Sequence, residues 1–202
     1  DIQSIEELYL TGLRIEQIHN PSVDPAKYYQ EVLARDPGET RANTALGLIR
    51  LKNGDYEAAE RYFQTALERL TADYTRPVNA DANYYLGLAL RAQGKFEPAY
   101  DQFYRASWDN AWHAAANYQL AELSCRKKDY EAALEQVNEA LSAGTQTNKA
   151  RNLKAAVLRK LGYFHDALAT ATLALRTDPL DFLAMNELHL AHAARREELP
   201  AK

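Results

Sequence analysis

A 34-residue period runs through this chain and limits what it can fold into more than any other feature. Gly87, Ala121, Ala155 and His189 are equally spaced at that interval, while Gly12 to Gly47 is 35 residues and Gly47 to Gly87 is 40. A repeat of this length is one supersecondary unit that cannot bury its apolar face alone, so neighbouring units must stack into a continuous core. The residues around each marker recur as well. One copy reads Leu46-Gly47, Gly54-Asp55-Tyr56, Ala59, Phe63 and Ala66, and the next Leu86-Gly87, Gly94-Lys95-Phe96, Ala99, Phe103 and Ala106. A third has Leu120-Ala121, Asp129-Tyr130, Ala133, Val137 and Ala140. A fourth has Leu153, Ala155, Leu158, Gly162, Phe164, Ala167, Ala171 and Ala174 before Asp178-Pro179.

The small residues at fixed phase let two helix backbones approach, and the large ones fill the space beside them. Gly54 suits a left-handed helix end, where a Cβ is costly. Asp36-Pro37 and Asp178-Pro179 stop one helix and begin the next pair. Asp24 as N-cap and Pro25 at the first helical position start the second helix of the first pair. The pattern predicts an all-α chain of five helix pairs, at 1–39, 40–79, 80–113, 114–147 and 148–181, closed by a capping helix at 182–198. Leu183, Leu190 and Ala194 of the cap are expected to pack on the stack, and Tyr56, Tyr62 and Tyr130 to occupy core positions. An insertion around Thr71–Ala80, containing Pro77, reads as a surface loop.

These residues resemble the tetratricopeptide repeat, over essentially the whole chain. The first and fifth copies are looser, with Lys154 where a large apolar residue is usual. The resemblance implies a right-handed α-solenoid that forms a single domain over 1–202. It also implies a protein-binding scaffold without catalytic apparatus. A narrower resemblance rests on Leu8-Tyr9-Leu10-Thr11-Gly12-Leu13 and on Phe103–Trp112. It is to a helical module of large bacterial proteins, where the repeats follow a β-rich, carbohydrate-associated domain of unknown function. On that likeness the chain, which begins at Asp1 without an initiator Met, is the helical C-terminal part of something longer.

In the tetratricopeptide family the first helices line a concave groove. Carried onto this sequence, the groove positions include Arg41, Leu48 and Lys52 in the second pair, and Tyr84, Tyr85, Leu88 and Arg91 in the third. The fourth pair supplies Tyr118, Glu122 and Arg126, and the fifth Lys149, Asn152 and Arg159. Over these four pairs the groove positions hold seven basic residues, counting Lys160, against Asp81 and Glu122, in a chain of net charge −4. In the first pair Glu6 and Glu16 stand beside Tyr9 and Leu10. A groove basic along its middle and acidic at its N-terminal end follows, unless these side chains merely drape over neighbouring helices. Clustered Tyr, Leu and Arg is hot-spot composition. It points to a protein or peptide partner with acidic and apolar side chains, which could be another domain of the same full-length chain. The Lys/Asn clamp that family members use on chaperone tails is absent, since Thr44 and Leu48, or Tyr84 and Leu88, occupy its first positions.

Other chemistry has little support. The net charge of −4 gives no general attraction to nucleic acid or anionic membrane, and no apolar run is long enough to span a bilayer. Cys125, the one cysteine, forms no internal disulfide, which favours a reducing, cytoplasmic setting. His189 and His192 share a helix face without a third ligand, so no metal is expected. No phosphate-binding loop, nucleophile elbow or cofactor motif occurs. Trp108 and Trp112 at a repeat junction read as packing residues. The competing readings are a self-assembling structural solenoid, of unknown oligomeric state, and an accessory module of a carbohydrate-active enzyme.

Overall fold

The computed structural model describes residues 2, 4–18, 22–73, 77, 79–142 and 147–198, the last three of these by backbone only. His19 and part of the central insertion, residues 74–76 and 78, lie outside the described residues. Eleven helices and no strand occur among the described residues. They are α1 (Ile5–Gln17), α2 (Ala26–Arg35), α3 (Thr40–Lys52), α4 (Tyr56–Leu70), α5 (Asp81–Ala92), α6 (Phe96–Ala106), α7 (His113–Lys127), α8 (Tyr130–Ser142), α9 (Asn148–Lys160), α10 (Phe164–Thr177) and α11 (Phe182–Glu198). They make five pairs and a closing helix, in two compact units, residues 1–106 and 107–202.

Local chemistry sets the helix ends. Ser4, Glu39 and Asp55 each accept the backbone N–H three residues on, at 3.0, 2.6 and 3.3 Å, capping α1, α3 and α4. Asp24 accepts from the Ala26 N–H at 2.9 Å, and Pro25 already has helical angles. The Asp-Pro stops work as expected: α2 and α10 end one residue before Asp36 and Asp178, both in extended conformation. Gly54, Gly94 and Gly162 turn the first helix into the second with φ of 79°, 76° and 81°.

Inside each pair a small residue faces a large one. In the unit of residues 1–106, a Cβ placed on Gly47 would lie 2.6 Å from the Phe63 ring, and one on Gly87 would lie 2.6 Å from Phe103. Gly12 faces Tyr29 at 2.8 Å in the same way. All three rings are fully buried. In the unit of residues 107–202 the small residue is Ala121, which packs in one cluster with Val137, and then Ala155, buried like Ala171. Partner size falls as the first-helix residue grows, which keeps the space filled.

Three placements differ from expectation. Tyr56 is 37 % exposed, because it opens α4 one step ahead of the buried stripe Ala58, Ala59, Phe63 and Ala66. The cap packs through Ala184 and Ala191, which are fully buried, with Leu190 and Ala194 only partly covered; Leu183 is 64 % exposed. One residue of phase is about 100° of helix, enough to turn Leu183 off the packed face. Trp108, expected to pack, is 54 % exposed, and Trp112 is half-buried.

Candidate functional site

The proposed groove residues divide between the two units. In the first, Arg41 donates to both oxygens of Glu6 at 3.1 and 2.6 Å and to Glu39 at 2.8 Å. Its guanidinium lies 4.4 Å above the centre of the Tyr9 ring. These bonds hold Glu6 below its ordinary carboxylate range, first through the hydrogen bond from Arg41. Lys52 reaches Glu16 at 3.4 Å. The acidic first pair and the basic second pair therefore neutralise one another across α1 and α3.

On α5 the tyrosines form a built aromatic surface. The Tyr84 and Tyr85 rings meet edge to face with centres 5.7 Å apart. Tyr85 stacks on Phe63 at 6.0 Å, and Tyr84 sits edge-on to Phe103 at 5.6 Å. Both tyrosines stay half-buried, as do Leu88 and Arg91 on the same helix and Leu48 on α3. Burial, and next the charge of Asp81, push the Tyr85 hydroxyl pKa up. Rings propped from behind keep their positions without a ligand, the condition for contact area at low entropic cost.

In the second unit, Tyr118 donates to Glu122 at 2.9 Å, and the Lys149 ammonium stands 4.7 Å over the Tyr118 ring. Arg126 is exposed on the same helix, α7. Two other groove candidates hold the cap. Arg159 makes a two-pronged pair with Glu187 at 2.8 and 3.2 Å, largely shielded from water. Asn152 is buried and donates to both Asp181 oxygens at 2.9 and 2.8 Å. Arg41, Lys52, Asn152 and Arg159 thus tie successive first helices together. Tyr84, Tyr85, Leu88 and Arg91 lie together on α5, and Tyr118, Glu122 and Arg126 lie on α7 with Lys149 of α9 over the Tyr118 ring.

Cys125 is half-buried, and burial, then Glu122, raise its thiol pKa, the opposite of nucleophile activation. Among the described residues no three His, Cys, Asp or Glu side chains gather as a metal site, and no helix is long and apolar enough to cross a membrane.

One recurring signal in the sequence went unread. Four residues before each small residue of α3, α5, α7 and α9 stand Asn43, Asn83, Asn117 and Arg151, all buried. Each is hydrogen-bonded within or just before its own helix pair: Asn43 to the Pro37 and Glu39 carbonyls, Asn83 to Gln102 on α6, Asn117 to the His113 carbonyl, and Arg151 to Asn148 and to Thr177 on α10. Their recurrence at one phase was visible without coordinates.

A sequence profile described as tetratricopeptide repeat matches residues 26–71 and 44–112. Residues 26–112, from α2 to the end of the third pair, thus carry the tetratricopeptide-repeat pattern. Solved structures share the fold of the whole chain over 86–98 % of its length. A tetratricopeptide repeat protein from Parabacteroides merdae is 17 % identical with a TM-score of 0.74, covering 97 % of this chain and 75 % of that one. YrrB, described as a tetratricopeptide-repeat protein with an unusual peptide-binding site, is 17 % identical with a TM-score of 0.72, covering 86 % of each. MamA is 18 % identical with a TM-score of 0.70, covering 98 % of each.

Proposed function

We propose that the chain is a non-catalytic protein-interaction scaffold, taking partner segments that carry Asp or Glu among apolar side chains. The observation that carries this reading is the tyrosine pair of α5, braced by Phe63 and Phe103 next to Arg91. Arg supplies directional pairing to carboxylates, and the rings supply rigid contact area. Tyr118, Lys149 and Arg126 offer a comparable aromatic and cationic surface in the other unit. A domain of the same full-length protein is an admissible partner, as is a separate chain. The description of YrrB as peptide-binding agrees with this class of ligand.

The test is binding of the native partner, or of the neighbouring domain supplied in trans, to Arg91→Glu/Arg126→Glu. The double reversal weakens binding more than Lys52→Glu or Lys160→Glu, and the parent's affinity falls as salt rises. Parent-like affinity in the double variant rules these surfaces out.

A second reading, self-association through the cap, has its own observation: Leu180, Phe182, Leu183 and Met185 are all exposed at the α10–α11 turn. Concentration-dependent mass in gel filtration, abolished by Phe182→Ser/Leu183→Ser, distinguishes it.

A further inference from the structure

A cleft of about 620 Å³ opens among α2, α3 and α4, away from the groove residues. Asn43 and Arg50 line it from α3. Seven residues is about two turns, so these two share a side of the helix, whereas Arg41 and Leu48 lie on the opposite side, about 140–180° round from them. We propose that this cleft is a second peptide-binding site, which takes an extended segment carrying a side-chain carboxylate next to an apolar side chain.

Asn43 gives the cleft wall a polar side chain. In α1 the same phase, four before the small residue, is filled by buried Leu8. Asn43 spends its amide nitrogen on the Pro37 and Glu39 carbonyls at 2.9 and 2.8 Å. Its Oδ1 has no partner among the described residues and suits a backbone N–H of a passing peptide. Leu33 and Pro37 on one side and the Tyr62 ring on the other give apolar walls.

Charge decides the rest. Arg50 and Arg61 both border the cleft, against the single carboxylate of Asp55. Asp55 already caps α4 and meets Arg50 only at 3.9 Å. Arg61 is exposed and has no ion-pair partner among the described residues. Two guanidiniums with one distant, occupied counter-ion favour an incoming carboxylate. The volume, within the usual range for small binding clefts of about 300–1,000 Å³, admits a few side chains and not a domain surface.

The experiment is an amide-resolved NMR titration of the whole chain with Ac-Gly-Leu-Glu-Leu-Glu-Gly-NH2, whose only carboxylates are on side chains, and with its Gln counterpart. The Glu peptide should shift amides of α4 and the end of α2. Arg61→Glu should weaken that response at least fivefold, with Arg61→Lys in between, and Gln for Glu should cost as much. Arg91→Glu should leave it unchanged while altering any shifts on α5, which separates this site from the groove surface. Equal affinity of the parent and Arg61→Glu, equal affinity for the Gln peptide, or shifts confined to α5 would each overturn the proposal.

Discussion

Lys128 stands in the left-handed region at φ 64°, at the phase where Gly54, Gly94 and Gly162 turn the other pairs. Its N–H and that of Asp129 still close the end of α7 on the Cys125 and Ser124 carbonyls, both at 3.0 Å. A side chain there costs about 1–2 kcal/mol, against about 0.5–1 kcal/mol of unfolded-chain entropy that glycine adds. Lys128→Gly should therefore stabilise the protein by roughly 0.5–1 kcal/mol in urea unfolding. The opposite sign is expected at Gly87, where the ring of Phe103 allows no Cβ without displacement. Gly87→Leu should cost about 3 kcal/mol or more, the upper end for overpacking. Gly54→Ala, which meets no atom within 4 Å but sits at φ 79°, should lose stability through backbone strain alone. An unchanged melting temperature for Gly87→Leu would mean that the small-residue phase does not set the packing.

At the scale of the helix, the cap hangs on α9 through two polar ties. Burial disfavours the Asp181 charge, but hydrogen bonds from Asn152, the Ala184 and Leu183 N–H groups and Asn148 outweigh it, holding its pKa below the ordinary 3.8. A carboxylate whose folded pKa is depressed contributes stability above its unfolded value and loses it as pH falls through the folded one. Docking of α11 should thus be pH-independent above about pH 5 and weaken progressively below pH 4. Hydrogen exchange of α11 amides reports it directly, and Asp181→Asn should flatten that acid dependence while weakening the cap at neutral pH. Periodicity could reveal that a closing helix exists, but not which of its stripes is buried. Leu183 and Ala184 differ by one residue, and the larger side chain was the natural choice until Arg159–Glu187 and Asn152–Asp181 fixed the rotation.

Across the whole molecule, what was legible and what was not separates by the range of the interactions. The helix pairs follow from backbone approach, which only small residues permit, so Gly47, Gly87, Ala121 and Ala155 announce them in one dimension. The groove charges follow from long side chains that reach beyond their own repeat. Glu6 and Arg41 are 35 residues apart, and Glu16 and Lys52 are 36, near one period, so a tally of charges by groove position leaves out their pairing. Breaking such a pair at the surface costs about 0–1 kcal/mol, so Arg41→Ala should lower stability only slightly in chemical denaturation. The same pairs bear on how a chain like this grows. Internal duplication copies the small-residue packing faithfully, because each pair carries both halves of it. It does not copy the charge match, since the carboxylate that Arg41 needs belongs to the unit before. A second copy of α3 and α4 inserted further along would keep its cap carboxylate but lack the partner that Glu6 provides, and selection would have to rewrite the neighbour. Repeats that look interchangeable in their cores are in this way addressed to fixed places in the series.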